Sequence, residues 1–497
     1  MDSGDGKKMR TALLLSFAIL LGRLSGLVRD MILSRSFGVS ADYDVYSLAI
    51  MIPFFLRKIF AEGALTSAYI PTYNEKIKIS EDEANAFTSK VFVLFSSVTL
   101  FLILLVEIHP NIVVKLFASG LDQGRILKAQ VMVRITFPFI LFITIWSIAY
   151  GFLNSHSRYF NPAFSQVIAN VTLIVGTILS VILNFGIVGV AVAFTIGGFL
   201  QMVYLLVDMK KHDFKFKFNL NTKMGDFPKI FFVSLLSFSI SQLNSIVDLN
   251  IASRLPEGSI SLMQYSLRIY NLPLGIFAIA FSTYAFPKLS RMNSKDKRVE
   301  FSKNLENILF FVIPFTVLFL TLGDRVVSIL YEGGRFGDSD VLETYKVLFM
   351  YSLGLPLYSF IILSYKLHYS SKDPITVMKT TLWSVAVNII FDLLLYKRMG
   401  PSGLALATTI AGAVGTLRLL FSRVNRRYLR LNVGFLKILI AGVVLTILNL
   451  AILRKMDGRI IPMLLSCVLY ILILLTLRYE YMLNLLSKVA KIRTKSL

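Results

Sequence analysis

Cysteine is almost missing: Cys467 is the single one in 497 residues. That excludes an intramolecular disulfide framework and a cysteine-rich metal centre. Histidine is nearly as scarce. His109, His156, His212 and His368 are scattered without metal-ligand spacing, and none stands in a nucleophile-like context, so no Ser-His-Asp arrangement is expected. The string G-x-x-x-x-G-K-[ST] occurs nowhere, so any transport is not driven by a nucleotide-hydrolysing site in this chain, and no enzyme is expected. Acidic residues are few, 29 against 52 Lys and Arg, for a net charge of +23. Such an excess could mark a nucleic-acid binder. The basic residues lie mostly in short loops between apolar runs, however, which points to membrane topology, and no nucleic-acid partner is expected.

Apolar sequence is what the chain has in abundance. It is 55% hydrophobic with a mean hydropathy of +0.69, far outside the soluble norm. The amino terminus, Lys7, Lys8 and Arg10 before an apolar run, looks at first like a signal peptide. It lacks an A-x-A-like cleavage site and is interrupted by Arg23, so it reads as a retained first helix. Runs of spanning length fall at about 11–36, 43–70, 84–107, 128–153, 160–183, 187–208, 228–253, 258–286, 301–323, 340–367, 375–396, 402–422, 434–453 and 460–483. The expected fold is therefore an all-α polytopic membrane protein of about 14 transmembrane helices. Loops on the side of the termini hold 27 Lys and Arg and the opposite loops 11, which predicts both termini in the cytoplasm.

An internal repeat runs through this pattern. Asn161-Pro162 open a helix leading to GVAVAFTIGG (Gly189–Gly198), and Asp373-Pro374 open another leading to GLALATTIAG (Gly403–Gly412). Both read G-x-A-x-A-x-T-I-x-G. Small residues at this density let helix backbones approach closely, which alone explains either copy. The recurrence, with the same loop polarity before each copy, predicts two parallel halves, 1–220 (helices 1–6) and 221–430 (helices 7–12). That is an architecture of alternating-access transporters. The last two runs, within 431–497, have no counterpart and look appended.

Ionisable residues inside the runs carry the chemistry. They are Arg23, Arg29, Asp30, Asp44, Arg57, Glu62, Asp248, Arg268 and Asp392. A guanidinium near the bilayer centre costs about 2.5–3.5 kcal/mol on insertion scales, so such a residue normally faces a wet or polar interior. Arg23 stands about 12 residues after Thr11, near the middle of a span of roughly 30 Å. A water-filled cationic cavity is the expectation. Snorkelling to the interfaces, or Arg–Asp pairs that merely lock helices, are the alternatives. Arg23 and Asp30, seven apart, share a helix face and could join one network. The planar fork of arginine suits a diphosphate in a way that the point charge of lysine does not. Gly22 and Gly26 in the first helix, and Pro273 with Gly275 in the eighth, are the expected bends.

A second constellation is built on carboxylates. Asn388 and Asp392, one turn apart, share a face with a possible view of Asp248 and Thr408. These hard oxygens suit a small cation, though an ordinary polar helix contact would use the same residues. Two neighbouring carboxylates would repel, and either a bound cation or a shared proton relieves that. The amide and hydroxyl favour sodium, because a proton would not need them.

The stretches LGRLSGLVRDMILSRSFG, then Asp44 to Pro53 as D-x-x-x-x-A-x-x-x-P, and LRKIFAEGALTSAYIP resemble the MurJ (MviN) lipid II flippases of the multidrug/oligosaccharidyl-lipid/polysaccharide exporter superfamily. The resemblance covers essentially the whole chain. It implies a flippase carrying the undecaprenyl-diphosphate-linked peptidoglycan precursor from the cytoplasmic to the outer leaflet of a bacterial plasma membrane. It also implies a MATE-like pair of bundles around a cationic cavity, and a groove for the lipid tail on helices 13 and 14. Arg23, Arg29, Arg57 and Arg268 match cavity arginines, and Asp44 a position near the outer gate. Asp30, Glu62 and Asn271 would belong to the gate network. Some members bind sodium through residues matching Asp248, Asn388, Asp392, Thr408 and the Leu404 carbonyl; no other cofactor is implied. Asn271 stands where some relatives carry glutamate, which weakens a mechanism with a carboxylate there. Lipid II and the bilayer are the expected partners of a monomer. An exporter of another lipid-linked glycan, or a MATE-type drug/cation antiporter, is the rival reading.

Overall fold

In a bilayer every backbone N–H and C=O must be satisfied within its own segment, which leaves helix as the economical answer for each apolar run. The computed structural model describes residues 3–217, 219, 221–430, 432–480 and 482; the side chains of 3–13, 62, 240 and 241 lie outside that description. Among the described residues it is all helical. The only extended pairing there is an isolated bridge between Gly333 and Phe336. By length and composition ten helices can cross a membrane, or eleven when the pair 338–352 and 355–370, bent by 43°, counts as one span. The carboxyl-terminal apolar helix, Ile460–Thr476, is shorter at 17 residues. Large apolar side chains stay exposed along outward helix faces, such as Phe232, Leu236, Leu394 and Val443, as expected where lipid is the solvent.

The chain divides into two compact units. The first comprises residues 1–261 with 333–336. It holds α1 (Ser3–Phe37), α2 (Ala41–Leu56), α3 (Thr66–Lys76), α4 (Glu81–Ile108), α5 (Pro110–Phe117), α6 (Gln123–Thr136), α7 (Phe139–Ser155), α8 (Phe160–Ile182), α9 (Gly186–Lys211) and α10 (Phe227–Ala252). Between α2 and α3 the chain runs on as a π-helix, Arg57–Leu65. Such a widening needs its loosened carbonyls taken up by other donors. Here the hydroxyls of Thr66 (2.9 Å) and Ser147 (2.5 Å) both donate to the Ala61 carbonyl. Gly63 is required at the widened turn. A Cβ there would lie 2.5 Å from the Lys58 carbonyl oxygen and 2.7 Å from the Phe238 ring of α10. α10, the seventh apolar run, packs on this π-helix, and Phe231 meets Phe60 and Phe95 at ring distances of 5.5 and 5.0 Å. The sequence had grouped that run with the second half.

The second unit, 262–332 with 337–497, begins inside α11 (Ser259–Pro273). Directly after Pro273 comes a second π-helix, Leu274–Ile279, and then α12 (Ala280–Arg291). α13 (Ser294–Tyr331) is broken at Leu322, whose backbone leaves the helical region. The carbonyls freed there find donors: Arg454 on Thr321 at 2.7 Å and the Tyr345 hydroxyl on Leu320 at 2.9 Å. α14 (Asp338–Ser352), α15 (Leu355–Ser370), α16 (Pro374–Met399), α17 (Pro401–Leu420) and the short α18 (Arg423–Tyr428) follow. The repeat shows as two closely packed pairs, α8 with α9 and α16 with α17. The appended runs become α19 (Val433–Ala451) and α20 (Ile460–Thr476), both against α13. Asn449 on α19 pins them: its amide donates to Thr321 and to Ser466, each at 2.9 Å. The last part of the 431–497 segment lies outside the described residues.

The expectation that no histidine serves a nucleophile is met by a structural trio at His368. His368 does sit between an aspartate and a serine, with Nδ1 3.1 Å from Asp373 Oδ2 and Nε2 3.1 Å from Ser422 Oγ. The histidine is fully buried, and Ser422 Oγ already accepts the Asn425 N–H as the cap of α18. The trio ties together the ends of α15, α16 and α18. Burial pushes the Asp373 carboxyl up, but hydrogen bonds from Thr376 and His368 outweigh it and hold it below the usual carboxylate range.

Candidate functional site

α8 is the platform of the first unit's cationic site. It crosses α1 closely, because Gly22 and Gly26 present no side chain to it; a Cβ on either would rest 3.5–3.8 Å from Asn170 or Gln166. α1 itself is unbroken at both glycines. Their observed role is close approach. Asn170 of α8, 3% exposed, then reaches three α1 groups. Its amide nitrogen donates to the Gly22 carbonyl (3.0 Å) and Ser25 Oγ (2.9 Å), and its oxygen accepts Arg29 Nη1 at 3.0 Å.

Arg29 is further held by Asp30. Nε donates to Asp30 Oδ1 at 2.9 Å and Nη2 lies 2.8 Å from the same oxygen. Asp30, expected to share a network with Arg23, bonds Arg29. Arg23 is exposed on α1, six residues earlier. Arg57 opens the π-helix and reaches the same platform, with Nη2 3.5 Å from Gln166 Oε1. Its guanidinium also lies over the Trp146 ring of α7, 5.6 Å from the centroid. Two expected arginine helices and α8 therefore converge within one unit. Glu62 is on the π-helix, with its side chain outside the described set.

Gln166, Asn170 and Trp146 were not foreseen. The signal was available: two amides one turn apart inside the apolar run 160–183.

Asp44 lies elsewhere in this unit, buried at the start of α2. Its carboxylate accepts the Gly258 N–H (2.7 Å), the Ser261 N–H (2.7 Å) and the Ser261 hydroxyl (2.5 Å). An anion here completes the open N–H groups where α11 begins. Nearby chain ends join this closure, the Arg335 N–H donating to the Arg35 carbonyl at 2.8 Å.

In the second unit Arg268 is half-buried on α11, and Asn271 is exposed beside Pro273, whose π-helix includes Gly275. Asn388 and Asp392, 1% and 0% exposed, are one turn apart on α16. On the packed neighbour α17 the Thr408 hydroxyl donates to the Leu404 carbonyl at 3.1 Å. That bond turns the hydroxyl lone pairs outward, as a cation ligand requires. Asp248 is on α10 of the first unit, accepting from Asn244 at 3.3 Å. Among the described residues no three His, Cys, Asp or Glu side chains gather as a metal cluster.

An apolar cavity of about 340 Å3 opens between α13 and α20, lined by Phe310, Phe311, Phe315, Leu318, Tyr470 and Ile471, among others.

Comparison with known proteins fits this arrangement. Residues 33–479 match the family described as lipid II flippase MurJ. The chain is 36% identical to the lipid II flippase MurJ of Thermosipho africanus over 83% of its own length and 85% of the relative. It is 37% identical to a protein of Thermotoga maritima named "Probable lipid II flippase MurJ", over 82% and 84%. A solved structure, "Lipid II flippase MurJ, inward closed conformation", superposes with a TM-score of 0.84 at 34% identity, covering 95% of this chain and all of that one. An inward-facing MATE transporter of the MOP superfamily shares the fold alone, with a TM-score of 0.64 at 15% identity. This chain, a multi-pass membrane protein and a transporter rather than a catalytic enzyme, belongs to the MurJ lipid II flippase family.

Proposed function

We propose that the protein flips lipid II, an undecaprenyl-diphosphate-linked disaccharide-pentapeptide, from the cytoplasmic to the outer leaflet by alternating access, with both termini cytoplasmic. The observation that carries this reading is the pair Arg29 and Arg57, which reach the α8 amides Asn170 and Gln166, with Arg23 on the same helix as Arg29. Arg29 directs three of its five N–H donors to Asp30 and Asn170, so one N–H on each terminal nitrogen is left for a phosphate oxygen. Arg57 and Arg23 add charge and further forks, and Arg268 of the second unit is proposed as a further phosphate-binding residue. Bidentate donors recognise the diphosphate, while the apolar cavity between α13 and α20 takes the lipid tail. Pro273 with Gly275, and Gly22 with Gly26, are assigned as hinges of the cycle, and Glu62 and Asn271 to its gate network. The test is complementation of a MurJ-depleted bacterium. Rescue is expected; failure of a well-expressed, correctly inserted protein would favour export of another lipid-linked glycan or a drug.

Asp248, Asn388, Asp392, Thr408 and the Leu404 carbonyl are proposed to hold sodium. When bound, the ion supplies positive charge between carboxylates. It biases the cycle only if its affinity differs between conformations. The chain's own contribution is the oriented Thr408 hydroxyl and the buried amide of Asn388. Thermal unfolding in sodium against potassium at equal ionic strength should show a sodium-specific upward shift that Asp392→Ala abolishes. An identical response to both salts would leave the residues as helix packing.

A further inference from the structure

We propose that Trp146 is a positioning residue for Arg57, its indole face setting the guanidinium plane so that the N–H edge faces the bound diphosphate. The inference rests on the flippase reading above and extends it to a side chain that touches no substrate. Trp146 sits on α7, 6% exposed, with Arg57 Cζ 5.6 Å from its ring centroid; Phe54 offers a second ring at 6.0 Å. A guanidinium stacks on aromatic faces while its fork stays available at the edge, which is what an anion site needs. The indole is itself held. Nε1 donates to Ser165 Oγ at 2.9 Å, and Ser165 Oγ donates to the Pro162 carbonyl at 2.8 Å, in the first turn of α8. Tyr150 packs on the ring at 5.0 Å. A buried tryptophan whose N–H is satisfied cannot readily swing, so Arg57 has a fixed floor. The chain from Pro162 through Ser165 and Trp146 to Arg57 links the start of α8 to the π-helix. It also explains why a large amphipathic ring occupies a place where any apolar side chain would fill space.

The sequence makes the test direct, because it holds only one other tryptophan, Trp383, exposed on α16. In a Trp383→Phe background, emission reports Trp146 alone. Two arms are measured on the full-length protein in micelles. Without ligand, Arg57→Ala should change the emission of Trp146. On titration with undecaprenyl diphosphate, the parent should show a saturable change. Trp146→Leu, followed by microscale thermophoresis, should weaken binding about tenfold, and Trp146→Phe should recover part of that loss, since phenylalanine keeps a weaker π face. Ser165→Ala, which leaves the ring in place but frees its edge, should give a smaller loss of affinity, with a somewhat lowered unfolding midpoint because the buried indole N–H loses its acceptor. Emission insensitive to Arg57→Ala, or parent-like affinity in both Trp146→Leu and Ser165→Ala, overturns the positioning role while leaving the diphosphate site standing. Absence of binding by the parent itself overturns the diphosphate reading, and the positioning role falls with it.

Discussion

Alanine at Arg23, Arg29, Arg57 or Arg268 is expected to abolish complementation while expression and membrane insertion stay normal, and lysine at each position is expected to rescue only in part. A hydrogen bond to a charged group is worth about 1.5–3 kcal/mol, so each lost fork lowers the flipping rate by roughly 10- to 100-fold. Lysine restores charge without the planar, bidentate edge, hence the partial rescue. Arg29 has a complication that can be used. Removing it leaves the buried Asp30 carboxylate without the guanidinium it now bonds at 2.9 Å, which destabilises the fold for a reason unrelated to transport. Arg29→Ala with Asp30→Asn should therefore regain the thermal midpoint but not the activity. Accessibility of lipid II to a membrane-impermeant hydrolase added outside the cell, alongside thermal unfolding, separates the two. Normal flipping by all four alanine variants would return the arginines to snorkelling or helix locking.

Most of the helical plan was legible because lipid leaves a run of apolar residues few options. Each run between 11 and 483 is mostly helical where the residues are described, with breaks inside 128–153, 340–367 and 460–483. The arginines of the first helices were legible for a related reason: a guanidinium in an apolar run is costly unless something receives it. What received them was not. Asp30 had been placed in a possible network with Arg23 by helical period; it bonds its chain neighbour Arg29, which also reaches the Asn170 amide. The π-helix at Arg57–Leu65 was invisible because its cause is tertiary: Ser147 on α7 bonds Ala61, and Phe238 on α10 presses against Gly63. α10 was placed with the second half because the internal repeat divides the runs into two sets of six. Aromatic packing against Phe60 and Phe95 overrides that reading. His368 was set aside as a catalytic residue on spacing, and its partners from two different helix caps make it a structural tie.

Asp44→Ala is expected to be the most damaging single change outside the arginines. One carboxylate satisfies three donors, the N–H groups of Gly258 and Ser261 and the Ser261 hydroxyl, and it is 1% exposed. Alanine leaves the two N–H groups buried without an acceptor. An unsatisfied buried donor costs about 1–3 kcal/mol, and the loss of negative charge at the start of α11 adds to this. Asparagine is no remedy despite its shape. Its oxygen can replace only one carboxylate oxygen, and its NH2 group then faces an N–H where an acceptor is needed. Ser261→Ala, by contrast, removes one bond and leaves the backbone pair intact, so it should be mild. The expected order of unfolding midpoints is wild type, then Ser261→Ala, then Asp44→Asn, then Asp44→Ala. Complementation should be lost in the last two, in keeping with the proposed role of Asp44 at the outer gate. A cysteine placed at Ser259, next to the anchored N–H groups, should label faster with a membrane-impermeant maleimide once Asp44 is removed. Unchanged labelling with an unchanged midpoint in Asp44→Ala would show that the three hydrogen bonds hold nothing that the rest of the first unit does not already hold.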